Sequence, residues 1–531
     1  VHNMIAFLYT IAILCMIFIP VGAAIWLRRR FQARWILFAI GSLTFFGSQV
    51  VHIPLNNLLT DLGVLPANDF SGDVPLLQTA LVLGLTAGLC EELARALGYW
   101  LLKRTRRLEE GIMLGIGHGG FEAMVIGGVF TAASLSALLP MLGTDLSTLN
   151  LSPEQLSAVE LQISTLLGSP SLSFAPLLER LLAMTLHVSL SVMVLKAFQT
   201  RKPLWVVAAI VYHMVVDAIA VYIGVNSTGT VQGVWFSIAI LAATVVPGAV
   251  LLVIEWRKGH QDVAPRHHGR DLTAFAASFR KEMVQLWRTK RFLVVMAVFI
   301  LFGLTSPLLA YFTPQMLGMI EGAEMFSDLI PTPTAADAMA QYVKNLSQFG
   351  FILAVALGMT AVAAEKESGT AALIMSKPMP RWAFVTSKFA AQALVYAAGF
   401  MIACLGAIFY TWLLFGVAAV GEFVTASLLM LLWLLVFVAA ALLGSVIGGT
   451  TAAAAGYGFG LSILWLLTGV IPNYGQLFPG GLITWASVIG QGLSPEPPPT
   501  GFLNFGAVAL AVVLIVLQLL LAIGLFEPQE L

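Results

Sequence analysis

The chain has 531 residues, 59% of them apolar and only 10% charged. A soluble domain carries about 25% charged residues, so a water-soluble globular protein is excluded. Lys plus Arg equals Asp plus Glu at 27 each, which leaves no basic excess to neutralise phosphate and argues against nucleic acid as a partner. What remains is a polytopic membrane protein long enough for two membrane domains. The three cysteines, Cys15, Cys90 and Cys404, sit in apolar runs, which excludes a disulfide framework and a four-thiolate zinc site.

A helix needs about 20 apolar residues to cross the hydrocarbon. Thirteen such runs occur, at 4–27, 35–54, 76–102, 111–135, 174–196, 203–224, 234–256, 292–312, 346–364, 389–415, 423–447, 451–471 and 502–526. Lipid offers the backbone no hydrogen-bond partner, and the runs lack the alternation of barrel strands, so the expected class is all-α. The first run reads as a span rather than a cleaved leader, because Arg28, Arg29 and Arg30 follow it and no Lys or Arg precedes it. Arginines mark the cytoplasmic side, which predicts an N-terminus outside and a C-terminus in the cytoplasm. The inside loops of that topology hold 24 of the 27 Lys and Arg residues. The exceptions are Arg95, Arg180 and Lys344.

The third to sixth spans carry ionisable groups, which are costly in lipid unless paired or functional. They are Glu91, Glu92 and Arg95; His118 and Glu122; His187; and His213 and Asp217. His118 with Glu122, and His213 with Asp217, are each i, i+4 and share a helix face. At about 1.5 Å per residue, Glu91, Glu122, His187 and His213 lie roughly 14–16 Å from the cytoplasmic ends of their spans, with His118 at roughly 10 Å and Asp217 at roughly 21 Å. Helices of alternating direction thus bring polar groups to one layer. Carboxylates and imidazoles in a dry pocket suit a divalent ion such as zinc, and a carboxylate beside it can act as general base. The same groups also suit a proton or ion pathway. Glu179 and Arg180 read as an interfacial pair, and no role is assigned to His52.

Glu91-Glu92-x-x-Arg95, Gly117-His118-Gly119-Gly120-Phe121-Glu122, a lone His187 and His213-x-x-x-Asp217 together resemble the YhfC family of intramembrane metalloproteases. That family is similar to the CAAX-processing and PrsW proteases. The resemblance covers about 1–256 and implies a glutamate-activated water and a histidine-held metal within the bilayer. Glu91 and Glu92, with Arg95, would be the catalytic motif. His118, His187, His213 and Asp217 would hold the metal or orient water, with Glu122 accessory. The sequence departs from the wider CAAX pattern: two residues, not three, separate Glu92 from Arg95, which turns Arg95 by about 100° around the helix. A catalytically inactive binding or immunity module stands as the alternative.

Charge concentrates in 257–291, a cytoplasmic linker with Pro265, His267, His268 and Gly269, followed by a helix striped with Phe275, Phe279, Met283 and Leu286. Its basic flanks predict an amphipathic helix on the cytoplasmic leaflet. This stretch divides a seven-span domain, 1–256, from a six-span domain, 292–531. In the second domain the cytoplasmic loop carries Glu365, Glu367, Gly369, Thr370, Lys377 and Pro378, and reads as a docking surface for a soluble partner. The apolar outer stretch 477–489 is too short to span and suits a re-entrant segment, with Pro495 and Pro497–Pro499 as a stiff return.

An amphipathic helix, six spans, a charged loop after the second and a re-entrant segment before the last resemble a type-two ABC-transporter permease over about 270–531. This implies export of an unidentified substrate, a separate ABC ATPase subunit and pairing of two permease halves, as in a homodimer. No Gly-Lys pair occurs in the chain, so no P-loop and no bound nucleotide are expected here. The expected location is a plasma membrane, the bacterial inner membrane.

Overall fold

A computed structural model describes residues 2–66, 74–102, 105, 107–141, 156–157, 159–161, 163, 169–227, 230–258, 269–318, 332–377, 379–471, 474–494 and 503–529. Helices dominate, and no strand occurs among the described residues. Among the described residues thirteen helical segments are long and apolar enough to cross a membrane, and they coincide with the thirteen apolar runs. The protein is therefore an all-helical, multi-pass membrane protein. The prolines at 495 and 497–499, and His267 and His268, lie outside the described residues.

The chain divides into two compact units, Val1–Arg266 and His267–Leu531. In the first, the helices are α1 (His2–Phe31), α2 (Trp35–Asp61), α3 (Leu76–Leu101), α4 (Leu108–Glu122), α5 (Phe130–Leu138), α6 (Ala175–Thr200), α7 (Leu204–Ser227) and α8 (Val231–Lys258). A π-helical stretch, Ala123–Val129, joins α4 to α5 within one span. The pairs α3–α7, α2–α3, α2–α4, α4–α6 and α6–α7 all pack, which closes a ring of five helices. Glycine sets the tightest contacts. A Cβ on Gly117 would lie 2.2 Å from the Phe38 carbonyl oxygen of α2, and one on Gly119 would lie 2.7 Å from the His187 Cβ of α6. Only a residue without a side chain lets these backbones meet.

The second unit holds α9 (Gly269–Arg288), α10 (Arg291–Gly318), α11 (Ala335–Met359), the short α12 (Ala363–Glu367) and α13 (Thr370–Met375), α14 (Arg381–Phe415), α15 (Val420–Ile447), α16 (Thr451–Leu467), α17 (Gly480–Gln491) and α18 (Phe505–Phe526). The long, apolar α15 is the hub, packing against α11, α14, α16, α17 and α18. The aromatic stripe of the amphipathic α9 is partly covered by protein: Phe275 stacks on Trp382 of α14 with ring centroids 6.1 Å apart, and Leu286 is buried. Leu272, Val284 and Trp287 remain exposed beside it. The 12-residue α17 buries Leu482, Trp485 and Ala486 and is far too short to cross a bilayer.

Candidate functional site

Four of the ring helices carry the ionisable residues inward. Glu91, Glu92, Arg95, His118, His187 and His213 are all buried. Their geometry has a focus. The Oε2 atom of Glu91 lies 3.1 Å from His118 Nε2, 3.9 Å from His187 Nδ1 and 3.9 Å from His213 Nε2. The rings of His118 and His187 stand 5.0 Å apart, and those of His187 and His213 5.1 Å. One triplet of donor atoms, from Glu91, His118 and His187, falls within 4.8 Å, and so does a second, from Glu92, His187 and His213.

The far nitrogen of every ring has its own partner. The Thr44 hydroxyl on α2 donates to the Gly41 carbonyl at 2.7 Å and meets His118 Nδ1 at 2.9 Å. A hydroxyl has one proton, so it must accept from Nδ1–H, and Nε2 is the nitrogen turned toward Glu91. His213 Nδ1 lies 3.0 Å from Glu92 Oε1. His187 Nε2 lies 2.5 Å from Glu122 Oε2. Histidines held this way by outer carboxylates and hydroxyls are oriented as metal-binding histidines are.

Arg95 sits behind the cluster, fully buried, with its Nη1 on both oxygens of Glu92 and its Nη2 3.1 Å from His187 Nδ1. The two-residue spacing therefore still delivers the guanidinium to Glu92, one turn away on the same face. Asp217 stands at the rim, its Oδ2 3.4 Å from His213 Nε2 and its side chain 34% exposed. Glu122 faces His187 on one side and Arg180 on the other, the latter at 2.7 Å. Arg180 also pairs with Glu179, so the pair read as interfacial is joined to the cluster through Glu122. Space for Arg180 comes from Gly127 of the π-helical stretch, whose Cβ would lie 2.6 Å from the arginine Cγ. The three glycines around His118 serve helix packing: Gly120 completes the set against Pro20 of α1.

Sequence reasoning missed Thr44, Gln49 and His52. Gln49 Nε2 donates to Glu91 Oε1 at 3.1 Å, and its amide oxygen lies 3.3 Å from His52 Nδ1. The signal was present as a polar spacing of i, i+3 and i+7 at Gln49, His52 and Asn56 within an apolar helix.

A second buried charge cluster ties together α9, α12 and α14 of the second unit. Lys388 of α14, 1% exposed, places Nζ 2.8 Å from Glu282 Oε1 of α9 and 2.9 Å from Glu365 Oε1 of α12. Lys281 joins both glutamates. Burial acts against the Lys281 charge, but Glu282 and Glu365 outweigh it and hold the ammonium above the ordinary lysine range. Ser278 and Ser387 meet at 2.7 Å beside it. Glu367 caps α16, accepting from Thr451 N at 3.0 Å and Thr451 Oγ1 at 2.6 Å. Gly369, at φ +71°, makes the left-handed link from α12 to Thr370 at the start of α13. Lys377 is exposed, and Pro378 lies outside the described residues.

Residues 15–240 match the family model for YhfC intramembrane metalloprotease. Residues 276–531 match the model for ABC-2 family transporter protein. Among curated proteins, the chain is similar to "Uncharacterized transmembrane protein YxlG" of Bacillus subtilis (strain 168), at 28% identity over 213 residues, 39% of this chain and 78% of that protein. It is also similar to "Uncharacterized membrane protein YhfC" of the same organism, at 29% identity over 209 residues, 38% of this chain and 79% of that protein. No solved structure matches the chain significantly. The chain is thus a fusion of two domains, one matching the YhfC intramembrane metalloprotease family over 15–240 and one matching the ABC-2 transporter family over 276–531.

Proposed function

We propose that the YhfC domain is a zinc-dependent intramembrane peptidase. The observation that carries this is the convergence of three imidazole nitrogens on Glu91 Oε2, each ring oriented from behind. The donor set fits a divalent metal. Imidazole and carboxylate are zinc ligands, and the cluster places five carboxylates, Glu91, Glu92, Glu122, Glu179 and Asp217, against two guanidiniums, Arg95 and Arg180. A bound cation would offset part of that excess negative charge. His118, His187 and His213 would hold the metal, and Asp217 would contribute from the rim.

A zinc ion held by these histidines would polarise a peptide carbonyl and lower the pKa of a water toward neutrality. The chain's own residues supply the rest. Glu91, adjacent to the focus, accepts the proton of the attacking water at a carboxylate oxygen and returns it to the leaving amine. Gln49 fixes the Glu91 carboxylate by binding Oε1. Arg95 keeps Glu92 charged, and Glu92 in turn orients His213. The closed helix ring excludes bulk water and strengthens each of these interactions.

The ABC-2 domain is assigned the role of an export permease subunit, with ATP hydrolysis supplied by a separate ATPase subunit that docks on α12 and α13 through Glu367, Gly369, Thr370, Lys377 and Pro378, while the buried Glu365 holds α12 in place from behind. A second copy of the permease completes the pathway. The arginine-bearing loops face the cytoplasm of a bacterial inner membrane, which places the N-terminus outside. The fusion suits a peptide that is cleaved in one domain and exported by the other.

The test is metal analysis of the purified full-length chain, wild type against His213→Ala, alongside peptide cleavage by Glu91→Gln. Stoichiometric zinc lost in His213→Ala, and cleavage lost in Glu91→Gln, are expected. A chain that purifies without a transition metal and regains none on zinc titration sinks the peptidase and leaves an inactive binding module.

A further inference from the structure

Beyond Glu91, the polar contacts continue along one groove. From Gln49 they pass to His52, and His52 Nε2 lies 3.2 Å from Thr86 Oγ1 of α3 and 3.0 Å from Asn56 Nδ2. Thr86 donates in turn to Asn56 Oδ1 at 2.9 Å. Gln49 to Asn56 is seven residues, about 10 Å along the helix axis, directed away from the Arg34 end of α2. Thr79, two turns before Thr86 on the same face of α3, is buried with no partner for its hydroxyl among the described residues. The other face of α2 is unlike this one: Val50, Val51 and Leu58 are 62%, 60% and 53% exposed, as lipid-facing residues are.

A row of neutral donors and acceptors in an apolar helix is costly in lipid and has no packing purpose that Leu would not serve better. Gln49, His52 and Asn56 are half-buried, whereas the cluster they lead to is closed. Hydrolysis in a sealed ring needs a way for water to arrive. We propose that Gln49, His52, Asn56 and Thr86 line the hydrated approach by which water reaches Glu91 from the end of the bundle remote from Arg34. Its purpose rests on the peptidase reading, but its geometry does not.

The experiment is thiol labelling of the full chain in membranes with a charged, impermeant methanethiosulfonate reagent, in a background carrying Cys15→Ala, Cys90→Ala and Cys404→Ala. Single cysteines are placed by Asn56→Cys, His52→Cys, Gln49→Cys, Val50→Cys and Val51→Cys. The reactive thiolate forms only where water solvates it, so the first three label at least about tenfold faster than the last two, in the order 56, 52, 49. Thr86→Cys repeats the test from the opposite wall should a substitution in α2 unfold the protein. Adding His52→Leu to Gln49→Cys cuts labelling at 49 about tenfold, since the dry side chain interrupts the solvated row. Equal rates at 49, 52, 56, 50 and 51 overturn the proposal, as does labelling at 49 that is indifferent to His52→Leu. Fast labelling of the stripe in a chain that cleaves no peptide keeps the approach and defeats the peptidase. A cleaving enzyme with an unlabelled stripe does the opposite.

Discussion

The hydroxyl of Thr44 sits 2.9 Å from His118 Nδ1 while donating its own proton to Gly41. A neutral residue on α2 thereby decides which nitrogen a histidine on α4 shows to Glu91. Thr44→Val keeps the shape and removes the acceptor. Losing such an outer partner lowers metal affinity by about 10–100-fold, and one hydrogen bond is worth about 1 kcal/mol of stability. Competitive zinc titration with a chromophoric chelator reads the first effect. An unchanged affinity would show that Thr44 does not orient the ring.

Arg95 and Glu92 are both fully buried, and the remaining partner of Glu92 is His213 Nδ1. Arg95→Met leaves the carboxylate with that imidazole alone in a dry interior, and breaking a buried pair in this way costs about 3–5 kcal/mol. Arg95→Lys restores charge but not the fork that reaches both Glu92 and His187, so partial recovery is expected. Thermal unfolding in detergent ranks the three proteins. Equal midpoints for Arg95→Lys and wild type would contradict the two-handed role.

Gly117 allows the α2 backbone to approach α4. Gly117→Ala puts a methyl 2.2 Å from the Phe38 carbonyl, and the helices must separate. Overpacking of this kind costs about 1–3 kcal/mol and pulls Thr44 away from His118. Destabilisation and metal loss should therefore appear together in one variant. Metal binding at wild-type affinity in a destabilised Gly117→Ala protein would separate the two and refute the link.

In the permease domain, Lys388→Met removes one cation from a buried cluster that needs two. Glu282 and Glu365 then share Lys281, and α12 loosens from α9 and α14. The expected result is a lower unfolding midpoint and weaker retention of the ATPase subunit on co-purification. Retention equal to wild type would remove Lys388 from the coupling path.

The Lys281 pair has a pH signature of known sign. Its folded pKa lies above the unfolded value, so its contribution is complete below the ordinary lysine range and is lost as pH rises through the raised value. Stability measured from neutral to strongly alkaline pH should fall there, and the fall should be smaller in Lys281→Gln. The opposite slope, a gain with rising pH, is incompatible with the cluster.

The thirteen spans were legible because lipid forces every backbone group into a helix, so hydropathy and length decide existence and class. The ionisable side of the site was legible for the same reason. Glu91, Glu92, Arg95, His118, Glu122, His187, His213 and Asp217 stand out in spans where charge is costly, and periodicity puts neighbours such as His213 and Asp217 on one face. Periodicity within a helix says nothing about rotation between helices. Tertiary structure alone therefore decided that Thr44 orients His118, that Arg180 reaches Glu122, that His52 belongs to a row ending at Glu91, and that Lys388 gathers Glu282 and Glu365. Neutral hydroxyls and amides are tolerated almost anywhere in a span, and only the packing of one helix against another gives them a partner.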